Sequence, residues 1–254
     1  MKKHLILYAS AVICLGLLPT HAQPGPGGAP GGPNLSGAMS KLFGDNKTFS
    51  ATLEMQTKDN SGNAITMPGK ISYDAGKYRF EFNMADMKGG KMPPNAAEQM
   101  KAMGLDQMAA ITLPDRKTAC LLYPGLQSYV EMKLPETKTA AAAGDYQMET
   151  TELGKETVDG HPCVKNKVVV TGKDGAKHES TVWNATDLKN FPVKIQSTEQ
   201  GRDATMLFKN ISLAKPAASQ FEPPADYTKY DSMQALMQQV MMKRMGGGMG
   251  MPPH

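Results

Sequence analysis

From Lys47 onward the chain alternates apolar and polar residues with a period of two, and this limits the fold more than any other feature. Phe49, Ala51, Leu53 and Met55 interleave with Ser50, Thr52, Glu54 and Gln56. Successive side chains of an extended strand point to opposite faces, so this segment has one apolar and one polar face. Residues 70–73 and 78–82 repeat the pattern on either side of Asp74-Ala75-Gly76, a hairpin signal. Tyr78, Phe80 and Phe82 share one face, and Arg79 and Glu81 the other. Further strands are predicted at 111–113, 118–123, 127–132, 149–158, 162–171, 176–184, 193–199 and 204–213, with short turns between them. Helical patterns interrupt at about 93–108, opened by Pro93-Pro94-Asn95, and again at 231–245. No helix alternates with strands, which argues against an α/β fold. The expected fold is mainly β: about ten antiparallel strands in one curved sheet or half-open barrel over residues 46–230, with a helical lid.

The N-terminus carries a different signal. Lys2 and Lys3 precede an apolar run from Leu5 to Leu18, and Thr20-His21-Ala22 places small residues before a cut after Ala22. That order reads as a secretory signal over residues 1–22. The run is short of the about 20 apolar residues of a membrane span, and no other stretch could cross a bilayer, so the product is expected to be periplasmic or secreted and not transmembrane. Residues 23–45 are rich in Pro and Gly and read as a flexible linker. Loss of Lys2 and Lys3 would leave 26 basic and 24 acidic residues, a net +2. Such a balance, with no clustering, argues against a nucleic-acid partner.

Removing the signal leaves Cys120 and Cys163. An even count in an oxidising compartment suggests one disulfide, which would stabilise the fold by roughly 3–4 kcal/mol. Two buried thiols are the alternative; a metal pair lacks helper spacing. His161, His178 and His254 pair with no serine, cysteine or carboxylate at a catalytic spacing, so no enzyme activity and no cofactor are expected. Trp183 reads as a barrel-edge anchor with its N–H bonded to backbone. Methionine is over-represented, at 20 residues against seven Phe and one Trp. Met233, Met237, Met241, Met242 and Met245 recur at helical spacing over 231–254. A stripe of this kind usually packs, but thioethers also ligate Cu(I), which makes Met237, Met241 and Met245 candidate metal ligands. Docking on an envelope protein or a membrane surface is a third reading. Met84, Met87, Met92, Met100, Met103 and Met108 mark the other helical region, as core or as a lid.

Several segments together are similar to known families. Leu113-Pro114-Asp115-Arg116-Lys117-Thr118, running into Leu122-Tyr123-Pro124-Gly125 and residues 127–131, resembles a passage of the periplasmic lipoprotein carriers of the LolA/LolB-like group. Gly69-Lys70-Ile71 and Lys77-Tyr78-Arg79-Phe80-Glu81 resemble the second hairpin of that group. Thr157-Val158-Asp159-Gly160-His161-Pro162-Cys163, Val182-Trp183-Asn184 and Phe191-Pro192-Val193-Lys194 resemble the DUF4412 family. Phe221-Glu222-Pro223-Pro224-Ala225-Asp226-Tyr227 fits the same ending. The resemblance implies a half-open barrel with helices in its mouth and an apolar concave cavity for a lipid or acyl chain. The residues expected to line it are Tyr78, Phe80, Phe82, Met100 and Met103. It also implies a bacterial source, in which the N-x-S/T triplets at Asn46, Asn184 and Asn210 carry no sugar.

Overall fold

The structure is a computed structural model that describes residues 33, 35, 37–58, 62–89, 95–134, 146–199 and 202–246; for 199, 202 and 243–246 it describes the backbone alone. The expected signal, residues 1–22, and residues 23–32 of the expected linker lie outside the described residues.

The strands are β1 (Thr48–Lys58), β2 (Ala64–Asp74), β3 (Lys77–Asn83), β4 (Lys88–Gly89), β5 (Gln107–Leu113), β6 (Thr118–Tyr123) and β7 (Ser128–Lys133). They continue as β8 (Gln147–Val158), β9 (His161–Thr171), β10 (Lys177–Ala185), β11 (Phe191–Glu199), β12 (Arg202–Ser212) and β13 (Thr228–Tyr230). The α-helices among the described residues are α1 (Ala38–Lys41), α2 (Ala96–Ala102) and α3 (Met233–Gly246). All strands join one open 13-stranded sheet in the order β13-β7-β6-β5-β3-β2-β1-β12-β11-β10-β9-β8, with β4 beside β2. β13 departs from the expected antiparallel rule by pairing parallel with β7.

The turns follow from local chemistry. Ala75 and Gly76 both have positive φ, 49° and 98°, as a two-residue hairpin of the primed type requires. β5–β6 and β6–β7 are joined by one repeated device. A proline opens a 3₁₀ turn (Pro114–Arg116, Pro124–Leu126), and a left-handed residue, Lys117 or Gln127, returns the chain to the sheet.

Register puts a buried row across six strands: Ala51, Ile71, Phe80, Ala110, Leu121 and Val130 are successive neighbours. They lie on the inner face. On the same face Phe43 fills the centre of an aromatic box. Its ring lies 4.9 Å from Phe49 and 5.7 Å from each of Tyr73, Phe191 and Phe208, so one side chain bridges four strands. Such pairs add about 0.5–1.5 kcal/mol each beyond burial. This corrects the expectation of a linker reaching residue 45. Leu35, Leu42 and Phe43 are core residues, and Asn46 secures the segment by donating its amide N–H to the Phe43 and Lys189 carbonyls at 3.1 and 3.2 Å. Three large apolar side chains outweigh the flexible composition around them.

Two further boundaries differ. Among the described residues the helical insertion is α2, seven residues, because Gly104 turns the chain at φ 69° and β5 begins at Gln107; Pro93 and Pro94 lie outside the described residues. Met108, Ala109 and Ala110 belong to β5, although both faces of that strand are covered and no alternation marks it.

Candidate functional site

α3 is the element that creates a cavity. Ser232 starts it: the Ala235 N–H donates to the Ser232 hydroxyl at 3.1 Å and the Leu236 N–H to the Ser232 carbonyl at 3.2 Å. β13 holds its root at the sheet edge, with the Lys229 ammonium 2.7 Å from the Glu131 carboxylate. The helix then crosses the inner face of β5–β7. Leu236 is fully buried, and Met233, Met237 and Val240 pack beside it on Ala110, Leu121, Tyr123 and Val130. The spacing 233, 236, 237, 240 is the i, i+3, i+4, i+7 stripe of a helix lying on a surface. The Tyr123 hydroxyl meets the Met233 sulfur at 3.5 Å, and burial pushes its pKa up to about 12, so it stays a neutral phenol.

Between α3, the end of α2 and the Pro124–Leu126 turn lies a groove of about 400 Å³. Its apolar walls are Met103, Leu126, Leu236 and Val240, and Lys101, Ser128, Tyr230 and Gln239 add polar groups. At its back two backbones touch. A Cβ on Gly104 would sit 2.9 Å from the Gly125 carbonyl oxygen, and one on Gly125 would sit 2.8 Å from the Gly104 Cα. Neither position tolerates a side chain without parting the two segments.

The residues expected to line a cavity divide. Met103 lines this groove, and Met100 is half-buried on α2. Tyr78, Phe80 and Phe82 do share a face, but they are buried in the closed core with the aromatic box. Phe80 and Phe82 stack at 5.5 Å, and Phe80 occupies the space that a side chain at Gly69 would need. Their part of the concave face is filled by the protein itself. Phe82 also borders a cleft of about 410 Å³ toward the outer face, where Arg79 lies 2.5 Å from Glu81, beside Lys70 and Asp86. Tyr230, Leu236, Gln239 and Val240 were not singled out by sequence reasoning. Leu236 and Val240 stand four apart within the methionine stripe, and that spacing was the available signal.

The disulfide expectation is corrected. Both cysteines are free thiols, on β6 and β9, which stand far apart in the strand order, in separate hydrophobic clusters. Burial pushes the Cys120 thiol up to about 11, with the Glu131 charge adding to it. Burial likewise raises Cys163. The Cys163 thiol donates to the His161 carbonyl at 3.3 Å, while the His161 ring turns to Asp187 at 2.8 Å. Imidazole and thiol therefore do not pair, and neither cysteine is set up as a thiolate nucleophile. Trp183 donates its N–H to the Glu156 carboxylate rather than to backbone, with Lys165 and Lys194 over the ring at 4.9 and 4.3 Å. Of the candidate copper ligands, Met237 packs on the sheet, Met241 is exposed, and the Met245 side chain lies outside the described residues. Among the described residues no group of three or more His, Cys, Asp or Glu could hold a metal ion, and no helix is long and apolar enough to cross a membrane.

An open, curved antiparallel sheet, partly filled by its own aromatics and roofed at one end by a C-terminal helix, defines the architectural class. Residues 49–191 match the family described as a domain of unknown function, DUF4412, and the chain belongs to that family. No curated protein matches the sequence. Similar solved structures include the lipoprotein LppX of Mycobacterium tuberculosis, at 11% identity and a TM-score of 0.41 over 70% of this chain and 94% of that one. LprF from Mycobacterium bovis is similar at 15% identity and 0.40, over 76% and 99%. A LolA superfamily protein from Nitrosomonas europaea is similar at 10% identity and 0.37, over 73% and 97%.

Proposed function

We propose that this protein is an exported, non-enzymatic binding protein that takes an apolar chain, of the lipid or acyl class, into the groove beneath α3. The carrying observation is the groove itself. About 400 Å³ falls within the ~300–1,000 Å³ of small-ligand sites, and the mixture of aliphatic walls with a few polar groups is what such sites use. Thioether and aliphatic walls suit a flexible chain, because Met adapts its shape. Lys101, Tyr230 and Gln239 supply donors for a carboxylate or ester head, while the Ser128 hydroxyl already donates to the Leu126 carbonyl at 2.9 Å. The N-terminal pattern of residues 1–22 supports export to the periplasm or beyond.

The test is solvent extraction and mass analysis of the mature protein purified from its own compartment, followed by titration with a fluorescent fatty acid. Bound acyl species, and probe uptake abolished by Val240→Trp, are the expected results. Clean protein that takes up no probe, or uptake unchanged by the Val240→Trp plug, would overturn the assignment.

A further inference from the structure

We infer that the distal turn of α3 is a docking surface for an anionic lipid bilayer. The helix buries one stripe, centred on Leu236 and Val240, against the sheet. Met241 and Met242 lie outside it and are 67% and 58% exposed. At about 100° per residue, Met242 falls opposite the centre of the buried stripe, so no rotamer returns it to the sheet. Met241 and Met242 are thus the apolar side chains of this helix left in water among its described residues.

The sequence names its chemistry. Lys243 and Arg244 follow directly in the same helix, while no acidic residue occurs from Ser232 to the C-terminus. In sequence, apolar residues followed by two cations and no acid complement a surface that is apolar below and anionic above. A protein partner with an acidic rim could meet the same charges. The bilayer is favoured because Met241 and Met242 point about 100° apart, which gives no single face for a fitted pocket but suits a surface that both can enter. The exposed apolar pair elsewhere, Met148 and Leu153 on β8, stands among Glu149, Glu152, Lys155 and Glu156, a net negative set that lacks this complement. The surface also abuts Gln239 and Val240 of the groove, so a docked helix would bring the groove to the lipid. The docking itself does not depend on the groove being occupied.

Vesicle flotation of the mature protein tests it, with equal parts phosphatidylglycerol and phosphatidylcholine against pure phosphatidylcholine. Wild-type protein is expected to float with the anionic vesicles alone. Met241→Ser/Met242→Ser should lower the partition about tenfold. Lys243→Gln/Arg244→Gln should lower it about 30-fold at low salt. Met148→Ser/Leu153→Ser should leave it unchanged. Unchanged thermal melting checks that all three variants fold. Failure of wild-type protein to float, equal flotation with both vesicles, or no loss in the α3 variants would overturn the inference. So would sedimentation showing that Met241 and Met242 instead join two copies of the chain. Flotation reads the bilayer and extraction reads the groove, so either can fail alone.

Discussion

The two ends of the sheet solve the same problem in opposite ways. β5 and β6 are buried on both faces: α3 covers the inner one, and Phe221 and Tyr227 pack on Ala109, Ile111, Cys120 and Leu122 of the outer one. At the other end β8 is twelve residues long and almost wholly exposed; it pairs with β9 and reaches past it only near its end, through Glu156 to Trp183 and through Val158 to the core. The chain after β12 makes the difference. It runs over the outer face, joins the edge as β13 and returns over the inner face as α3. One wing is thereby made into a three-layer structure with a groove, and the other stays a single layer. A bare edge strand invites pairing with other chains, and β8 carries the usual deterrents: Glu149, Glu152, Lys155 and Glu156, with a register break between Glu152 and Gly154.

This contrast sets the largest expected effect. Leu122→Ala removes a fully buried side chain from the doubly covered wing and should cost about 2–5 kcal/mol, read from urea unfolding. A loss under about 1 kcal/mol would show that the outer cover is loose. Next comes pH. The Cys120 thiol titrates at about 11 in the folded chain, against 9.0 for the free group. Above pH 9 the unfolded chain releases a proton that the folded one retains, so stability should fall between pH 9 and 11, by up to roughly 2 kcal/mol. Cys120→Ala should lessen that slope and leave the part that the buried Cys163 and tyrosines contribute, whatever its effect at neutral pH; an unaltered slope would mean that water reaches the Cys120 thiol. Smaller again, Ser232→Ala removes the cap of α3 and should cost about 1 kcal/mol. Amide exchange should then accelerate in α3 while β8–β10 stay as before. Equal acceleration everywhere would mean that α3 and the sheet unfold as one unit.

The same contrast explains what could be read in advance. Strands covered on one face, such as β1 and β3, declare themselves by alternation, and the hairpin at Asp74-Ala75-Gly76 is encoded locally. Met108, Ala109 and Ala110 gave no alternation because both faces of β5 are buried, so the strand was missed there. Phe43 looked like part of a linker because its partners, Phe49, Tyr73, Phe191 and Phe208, come from four strands spread along the chain. A cysteine pair is compatible with a bridge until the strand order separates β6 from β9. For the groove, sequence offered Met103 and the helical stripe. The meeting of Gly104 with Gly125 is a contact between backbones, and residue types alone do not announce it.

The smallest effect falls on the bare wing. Leu153 is 54% exposed at the register break of β8, with solvent on both faces of the strand. Leu153→Ala removes surface that folding does not hide and should change stability by less than about 0.5 kcal/mol. The same leucine truncation that costs several kcal/mol in β6 should thus be nearly silent in β8, although both residues lie in strands of one sheet. Paired urea titrations of the two variants measure that difference directly. A cost above about 1.5 kcal/mol for Leu153→Ala would mean that β8 is covered in solution, by a second copy or another segment, and the single-layer description of that wing would fail.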